Sequence, residues 1–337
     1  MLHLFVIWPS YGLTASKDTF DVSLSPPDSK THEASIPTAA QAESAAVIHE
    51  NIMFVTGIGS SSCEIWKWGG ISSPSMFSWS RCKDMPVSRN GHCVTFTKEQ
   101  LYLIGGYTGR SGNVLDSVVA YDPKTNSCVT VGKLVHGVQN AACVSWNDSI
   151  YVFGGSGTSK MPVDYVQVYK TTDNTCTVLS MPMPSPQSCM RAAICKEQVI
   201  LLGSEACFIF DLAEEMWLER TQFKTDVVHF GLALHNGRIF VFGGGKREDN
   251  PSPSKSRSPS PIRSRRPSLI RSRKLSPSRS RSPSPTSTWT CRDDIRCIPL
   301  LNFVNDIPTD WKVLGKLPKK CMIHSYCSKT LQKVTTI

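Results

Sequence analysis

The sequence predicts an all-β protein built of repeated four-stranded blades, a β-propeller, and three observations carry that expectation. Short apolar runs ending in glycine recur at a nearly fixed period. Each is followed, after a polar loop, by a second strand ending in an aromatic residue. No helical periodicity separates them.

The runs are IMFVTG (52–57), LYLIGG (101–106), IYVFGG (150–155), VILLGS (199–204) and IFVFGG (239–244), and their leading glycines lie 48, 49, 49 and 40 residues apart. Four or five consecutive β-branched, aliphatic or aromatic residues suit a strand covered on both faces. The glycines end it where the backbone needs positive φ or a close neighbour. After a polar loop come SVVAYD (117–122), VQVYK (166–170) and FIFD (208–211). Seven residues beyond Tyr121, Tyr169 and Phe210 stand Cys128, Cys176 and Trp217, the expected outer strand. Met85-Pro86, Met181-Pro182 and Leu317-Pro318 follow such positions. A further strand, as in GHCVTF (91–96) and AACVSW (141–146), leads into the next unit. Four short strands per repeat make a propeller blade.

Residues 85–128 resemble a kelch repeat almost throughout: Pro86 and Arg89 form the Pro-x-x-Arg lead, Gly105 and Gly106 the diglycine, and Tyr121, Asp122 and Pro123 the Tyr-Asp-Pro. Cys128 and Cys176 stand where that family has Trp, and Ser204 replaces a second glycine. The resemblance covers residues 45–337 apart from one insertion, and implies a kelch propeller with five recognisable four-stranded blades. The ring is either five-bladed or part of a six-bladed one. Kelch rings are commonly closed by a C-terminal strand placed innermost in the N-terminal blade. Residues 321–331 (CMIHSYCSKTL) and 44–50 (SAAVIHE) both suit that slot.

Four segments follow. Residues 1–43 read as a flexible leader, and 44–245 as blades 1 to 4 with the start of blade 5. Residues 246–290 read as a disordered Arg/Ser/Pro-rich insertion, and 291–337 as the rest of blade 5 and a closing strand. The insertion separates the second strand of blade 5 from its third, CRDDIRCIPL (291–300), and fourth, DWKVLGKLP (310–318). Loop-closure entropy grows slowly with length, so blade 5 tolerates it. Few large apolar residues interrupt its Ser, Pro and Arg, which predicts disorder.

The net charge of +10 resides in this insertion, where ten Lys and Arg side chains lie between Asn250 and Thr288 with no Asp or Glu. The remainder is electrically balanced, so the chain is not a basic nucleic-acid-binding domain as a whole. Arg-Ser and Ser-Pro pairs and the Arg-Arg-Pro-Ser-Leu sequence (265–269) make Ser258, Ser268, Ser276 and Ser282 candidate phosphorylation sites. Kinases, RNA or acidic proteins are the partners expected of 250–288.

Thirteen scattered cysteines without a CxxC fit reduced, largely buried thiols better than a disulfide scaffold. The spacings Cys291-x5-Cys297 and Cys321-x5-Cys327, with His324, do not match zinc knuckles. The apolar start, LHLFVIW (2–8), resembles a secretory core but lacks a preceding Lys or Arg and meets Pro9. No run approaches a membrane span. GGYTGRSG (105–112) and GGSGTSK (154–160) lack phosphate-loop spacing. His49, His92, His136, His229 and His235 fall near inner-strand positions without ligand-spaced partners. No metal, cofactor, small-molecule substrate or catalytic set is expected.

The resemblance thus implies a non-enzymatic protein-interaction module, related to the substrate-recognition propellers of kelch-type ubiquitin-ligase adaptors, without a BTB domain in the leader. The alternative is a nuclear RNA-processing or cytoskeletal scaffold using the arginine–serine tract, and the expected location is cytoplasmic, nuclear or both. Loops between second and third strands share a face with the blade-to-blade connections, which makes Arg89, Tyr107, Arg110, Asn113, Thr158 and Lys160 the candidate partner contacts.

Overall fold

The computed structural model describes residues 2–7, 19–24, 27–30, 37–38, 43–50, 52–59, 61–69, 78–109, 112–220, 223–248, 288–316 and 325–330. The five expected blades are present as four-stranded antiparallel sheets. Blade 1 comprises Ala45–His49, Ile52–Ile58, Glu64–Gly69 and Ser78–Arg81, from the innermost strand outward. Blade 2 comprises Cys93–Thr97, Gln100–Ile104, Ser117–Asp122 and Ser127–Lys133. Blade 3 comprises Ala142–Trp146, Ser149–Phe153, Val166–Lys170 and Thr175–Val178. Blade 4 comprises Arg191–Cys195, Gln198–Leu202, Cys207–Asp211 and Met216–Glu219. Blade 5 comprises Gly231–His235, Arg238–Phe242, Asp294–Pro299 and Lys312–Lys316.

The apolar runs are second strands, and in blades 2 to 5 their last four residues are buried. The seven-residue spacing is a cross-strand pair: Tyr121 opposes Cys128, Tyr169 opposes Cys176, and Phe210 opposes Trp217. Both glycines of the pair adopt left-handed φ in blades 2, 3 and 5, whereas Gly203 of blade 4 does not. The loss of the second glycine at Ser204 is therefore matched by a different backbone.

A sixth four-stranded sheet completes the described architecture. It sets Ser325–Thr330 innermost, followed by Leu2–Ile7, Thr19–Leu24 and Pro27–Lys30. The two candidates for one closing slot thus fill two slots, since Ala45–His49 is the inner strand of blade 1. The segment expected to be a flexible leader supplies three strands of blade 6, because the strand from the other chain end gives Leu2–Ile7 a pairing edge. The six innermost strands contact one another in a closed cycle: blade 1 against 2, 2 against 3, and onward to blade 6 against 1.

Each seam between blades is filled by side chains from two sheets. Phe153, Phe208 and Phe210 pack between blades 3 and 4, and Ile200, Ile209, Phe230 and Val241 between blades 4 and 5. A helical turn, Leu300–Val304, joins the third and outer strands of blade 5. Its Phe303 ring lies 5.0 Å from that of Phe223.

Residues 246–290 separate from the rest of the chain as a second unit. Gly245–Glu248 and Thr288–Cys291 pair as a two-stranded sheet that brackets it in the chain. The tract itself, with Ser258, Ser268, Ser276 and Ser282, lies outside the described residues.

Candidate functional site

Alternating strands bring the second-to-third-strand loops and the blade-to-blade connections to one face, and backbone pairs tie the two together. Asn90 and Tyr107 exchange N–H···O bonds of 3.0 and 2.9 Å, as do Gln139 and Ser156 at 3.0 and 2.7 Å. On this face each chain turns toward its inner strand through a left-handed residue: Glu43, Gly91, Asn140, Cys189 and His229, with φ between 53° and 66°. These residues link neighbouring blades. Gly91 N–H donates to Glu43 O at 2.8 Å, Asn140 N–H to Gly91 O at 2.7 Å, and Cys189 N–H to Asn140 O at 2.8 Å. The belt surrounds a central cavity of about 410 Å³ lined by the inner strands of blades 1 to 5.

Polar side chains collect at this mouth. The Glu43 carboxyl is raised above the ordinary carboxylate range by burial, opposed by hydrogen bonds from Tyr107 and Asn140 and by the charge of Arg191. Gly91 is the cradle for this cluster, because a Cβ there would stand 2.8 Å from Asn140 Oδ1 and 2.9 Å from Glu43 Oε2. Arg191 Nε donates to Phe230 O at 2.9 Å, which anchors the guanidinium across the seam of blades 4 and 5. His229 Nε2 lies 3.8 Å from Cys189 Sγ. Burial, then Arg191, lowers the imidazole to about 3, and burial pushes the Cys189 thiol up. At neutral pH the pair is uncharged, so the mouth offers a guanidinium, a carboxyl and neutral donors and acceptors, with no ionised thiolate. Among the described residues no group of three metal-ligating side chains occurs.

The structure brings some of the sequence-predicted contacts together. Tyr107 and Asn113 sit on a two-residue ribbon, Tyr107 opposite Val114 and Thr108 opposite Asn113. Asn113, Thr158 and Lys160 are exposed, and Tyr107 is half-buried beside Glu43. Lys160 Nζ would be 3.9 Å from a Cβ at Gly112, so the loop tips of blades 2 and 3 meet. Arg110 lies outside the described residues.

Arg89 has a different place from the one expected. It is 0% exposed. Its Nη1 donates to Gly105 O at 3.0 Å and Ser117 O at 3.1 Å, and its Nη2 to Ser117 Oγ at 3.0 Å. These carbonyls end the second strand and begin the third strand of blade 2, where the Ser117 carbonyl also accepts the Gly105 N–H at 3.1 Å, so the buried guanidinium ties the two strand ends together. Arg89 therefore supports the site from beneath and presents nothing to a partner.

Sequence reasoning missed Glu43, Asn140 and Arg191. Their signal was present: Glu43, Gly91, Asn140, Cys189 and His229 repeat at intervals of 48, 49, 49 and 40, the spacing of the glycines. Glutamate, asparagine, cysteine and histidine share no side-chain chemistry, so only the backbone unites them.

Comparison with known proteins agrees with this geometry. Residues 72–244 match the family model described as the KLHDC2/KLHL20/DRC7 Kelch-repeats domain. Mouse Kelch-like protein 35 is 26% identical over 212 residues, 62% of this chain and 36% of that protein. Xenopus tropicalis Kelch-like protein 25 is 26% identical over 228 residues, 63% of this chain and 38% of that protein. The chain thus matches well under half the length of these curated relatives. The solved structure of YjhT superposes with a TM-score of 0.63 at 14% identity, covering 87% of this chain and 88% of that one, a likeness of fold. With a family match over half its length and the repeats, diglycines and blades described above, the chain belongs to the kelch-repeat family.

Proposed function

We propose that the chain is a non-enzymatic protein-recognition module, a substrate-receptor propeller of the kind found in kelch-type ubiquitin-ligase adaptors. The observation that carries this reading is the convergence, on one cavity mouth, of loop tips and polar side chains from several blades. Glu43, Tyr107, Asn140 and Arg191 supply a hydrogen-bonding centre, and Asn113, Thr158 and Lys160 an exposed rim. A polar centre ringed by loops suits an extended or turned peptide segment better than a buried small molecule. The similarity to kelch-like proteins supports the same reading.

In this proposal the tract at 250–288 regulates binding through phosphorylation at Ser258, Ser268, Ser276 and Ser282. Each phosphate adds about −1.5 to −2 charges, so roughly five to seven neutralise the ten basic side chains. Its unmodified form favours acidic proteins or RNA, and the protein works in the cytoplasm, the nucleus or both.

The test is affinity capture with quantitative mass spectrometry of the full chain beside the rim variant Asn113→Asp/Thr158→Asp/Lys160→Glu. Recovery of specific partners falls about tenfold, equivalent to roughly 1.4 kcal/mol, if the rim is the contact surface. An unchanged partner set with a correctly folded variant would contradict the proposal.

A further inference from the structure

The inner strands of blades 2 and 3 run side by side, and their alternation sorts their residues. Val94 and Phe96 pack with the blade 1–2 core, and Ala142, Val144 and Trp146 with the blade 3–4 core. Cys93, Thr95, Cys143 and Ser145 consequently face each other across the remaining seam. Thr95 Oγ1 lies 3.1 Å from Ser145 Oγ. Two residues back in each strand, the thiols cross reciprocally. Cys93 Sγ donates to Ala141 O of blade 3 at 3.3 Å, and Cys143 Sγ to Val94 O of blade 2 at 3.6 Å. Each thiol thus bonds backbone on the strand that carries the other. Both are free cysteines, and both line the central cavity of about 410 Å³.

We propose that Cys93 and Cys143 form a dithiol modification site, closed by hydroperoxides to a disulfide that staples blades 2 and 3 at the channel wall. With each thiol already bonded to the other's strand, rotation of two short side chains is the movement needed to reach the S–S bond length. Pairing with Cys93, then burial, raises the Cys143 thiol well above the ordinary cysteine range, so Cys143 remains protonated as the resolving thiol. In the first step the Cys93 thiolate attacks one peroxide oxygen, the O–O bond breaks, and hydroxide leaves to be protonated to water. In the second, Cys143 sulfur attacks the sulfenic sulfur of Cys93, the S–O bond breaks, and the thiol proton leaves with that oxygen as water. Two thiols and one hydrogen peroxide give one disulfide and two waters.

The test treats the folded full chain with dilute hydrogen peroxide, then alkylates and digests it without reductant. The expected product is a peptide pair joined at Cys93 and Cys143, about 2 Da lighter than the reduced pair and released by dithiothreitol. Cys82 and Cys128, buried around Tyr121 in the blade 1–2 core, serve as internal controls that stay reduced. In Cys143→Ser the resolving thiol is absent, and dimedone labels Cys93 instead. Recovery of both as free thiols, or as separate sulfinic acids with no linked peptide in the wild type, would overturn the proposal. That readout needs no variant and does not depend on the partner-binding reading.

Discussion

At the scale of single residues, the blade seams are closed by different polar side chains doing the same work. Arg89 spans carbonyls of blade 2. Between blades 2 and 3 Gln167 exchanges hydrogen bonds of 2.8 and 3.0 Å with the backbone of His136. Arg296, between blades 4 and 5, pairs with Asp294 at 3.1 Å and Asp226 at 3.5 Å and lies over Trp311. Burial lowers the Arg89 guanidinium only to about 10, so it is charged at neutral pH. Arg89→Met takes the guanidinium from the Gly105 carbonyl and the Ser117 hydroxyl and should cost about 3 kcal/mol in urea unfolding, whereas an exposed contact residue would cost almost nothing. The motif lead identified Arg89 but not its burial, because a Pro-x-x-Arg pattern carries no information about which side of the turn is covered.

A second residue-scale expectation concerns acid. His92 and His229 are each held at about 3 by burial, below the imidazole's unfolded value. The native state binds fewer protons than the unfolded chain between those values. Stability is therefore full above about pH 6.5 and lost as pH falls toward 3, by up to about 1.4 kcal/mol per pH unit for each histidine. His92 Nε2, 2.7 Å from Thr56 Oγ1, is the simpler target: His92→Gln should flatten the fall in melting temperature between pH 7 and 4.5. An equally steep fall in the variant would show that other groups dominate.

At the scale of elements, legibility followed burial. The second strands were readable because they are covered on both faces and end in glycines that the backbone needs. A Cβ at Gly105, with φ +62°, would collide with Val138 O. Blade 6 was not readable, because its strands come from both chain ends and carry no diglycine. LHLFVI resembled a secretory core until a distant strand gave it an edge. Removing residues 325–337 deprives Leu2–Ile7 of its inner partner and opens the cycle beside Ala45–His49 and Gly231–His235. Calorimetry should show a melting temperature lower by about 10 °C and a broadened transition. An unchanged sharp transition would mean that the C-terminal strand does not close the ring.

For the whole molecule, the repeat converts sequence distance into proximity. Glu43, Asn140 and Arg191 are 51 residues or more apart in sequence yet meet at one mouth, joined by a belt of left-handed backbone and interblade hydrogen bonds. The face that carries the second-to-third-strand loops, and with it the candidate site, was legible from strand alternation alone. Its charged centre was not, because the repeat conserves backbone geometry there and varies the side chain. Charge is partitioned as well: the excess of +10 belongs to the tract, and the rest of the chain is balanced. The most direct test of the account is amide hydrogen exchange of the full chain with and without a captured protein partner. Protection concentrated at residues 107–115 and 156–164 and at the blade connections around 43, 140 and 191 is expected. Protection confined to the turns at 98–99, 147–148 and 196–197, on the opposite face, would contradict it.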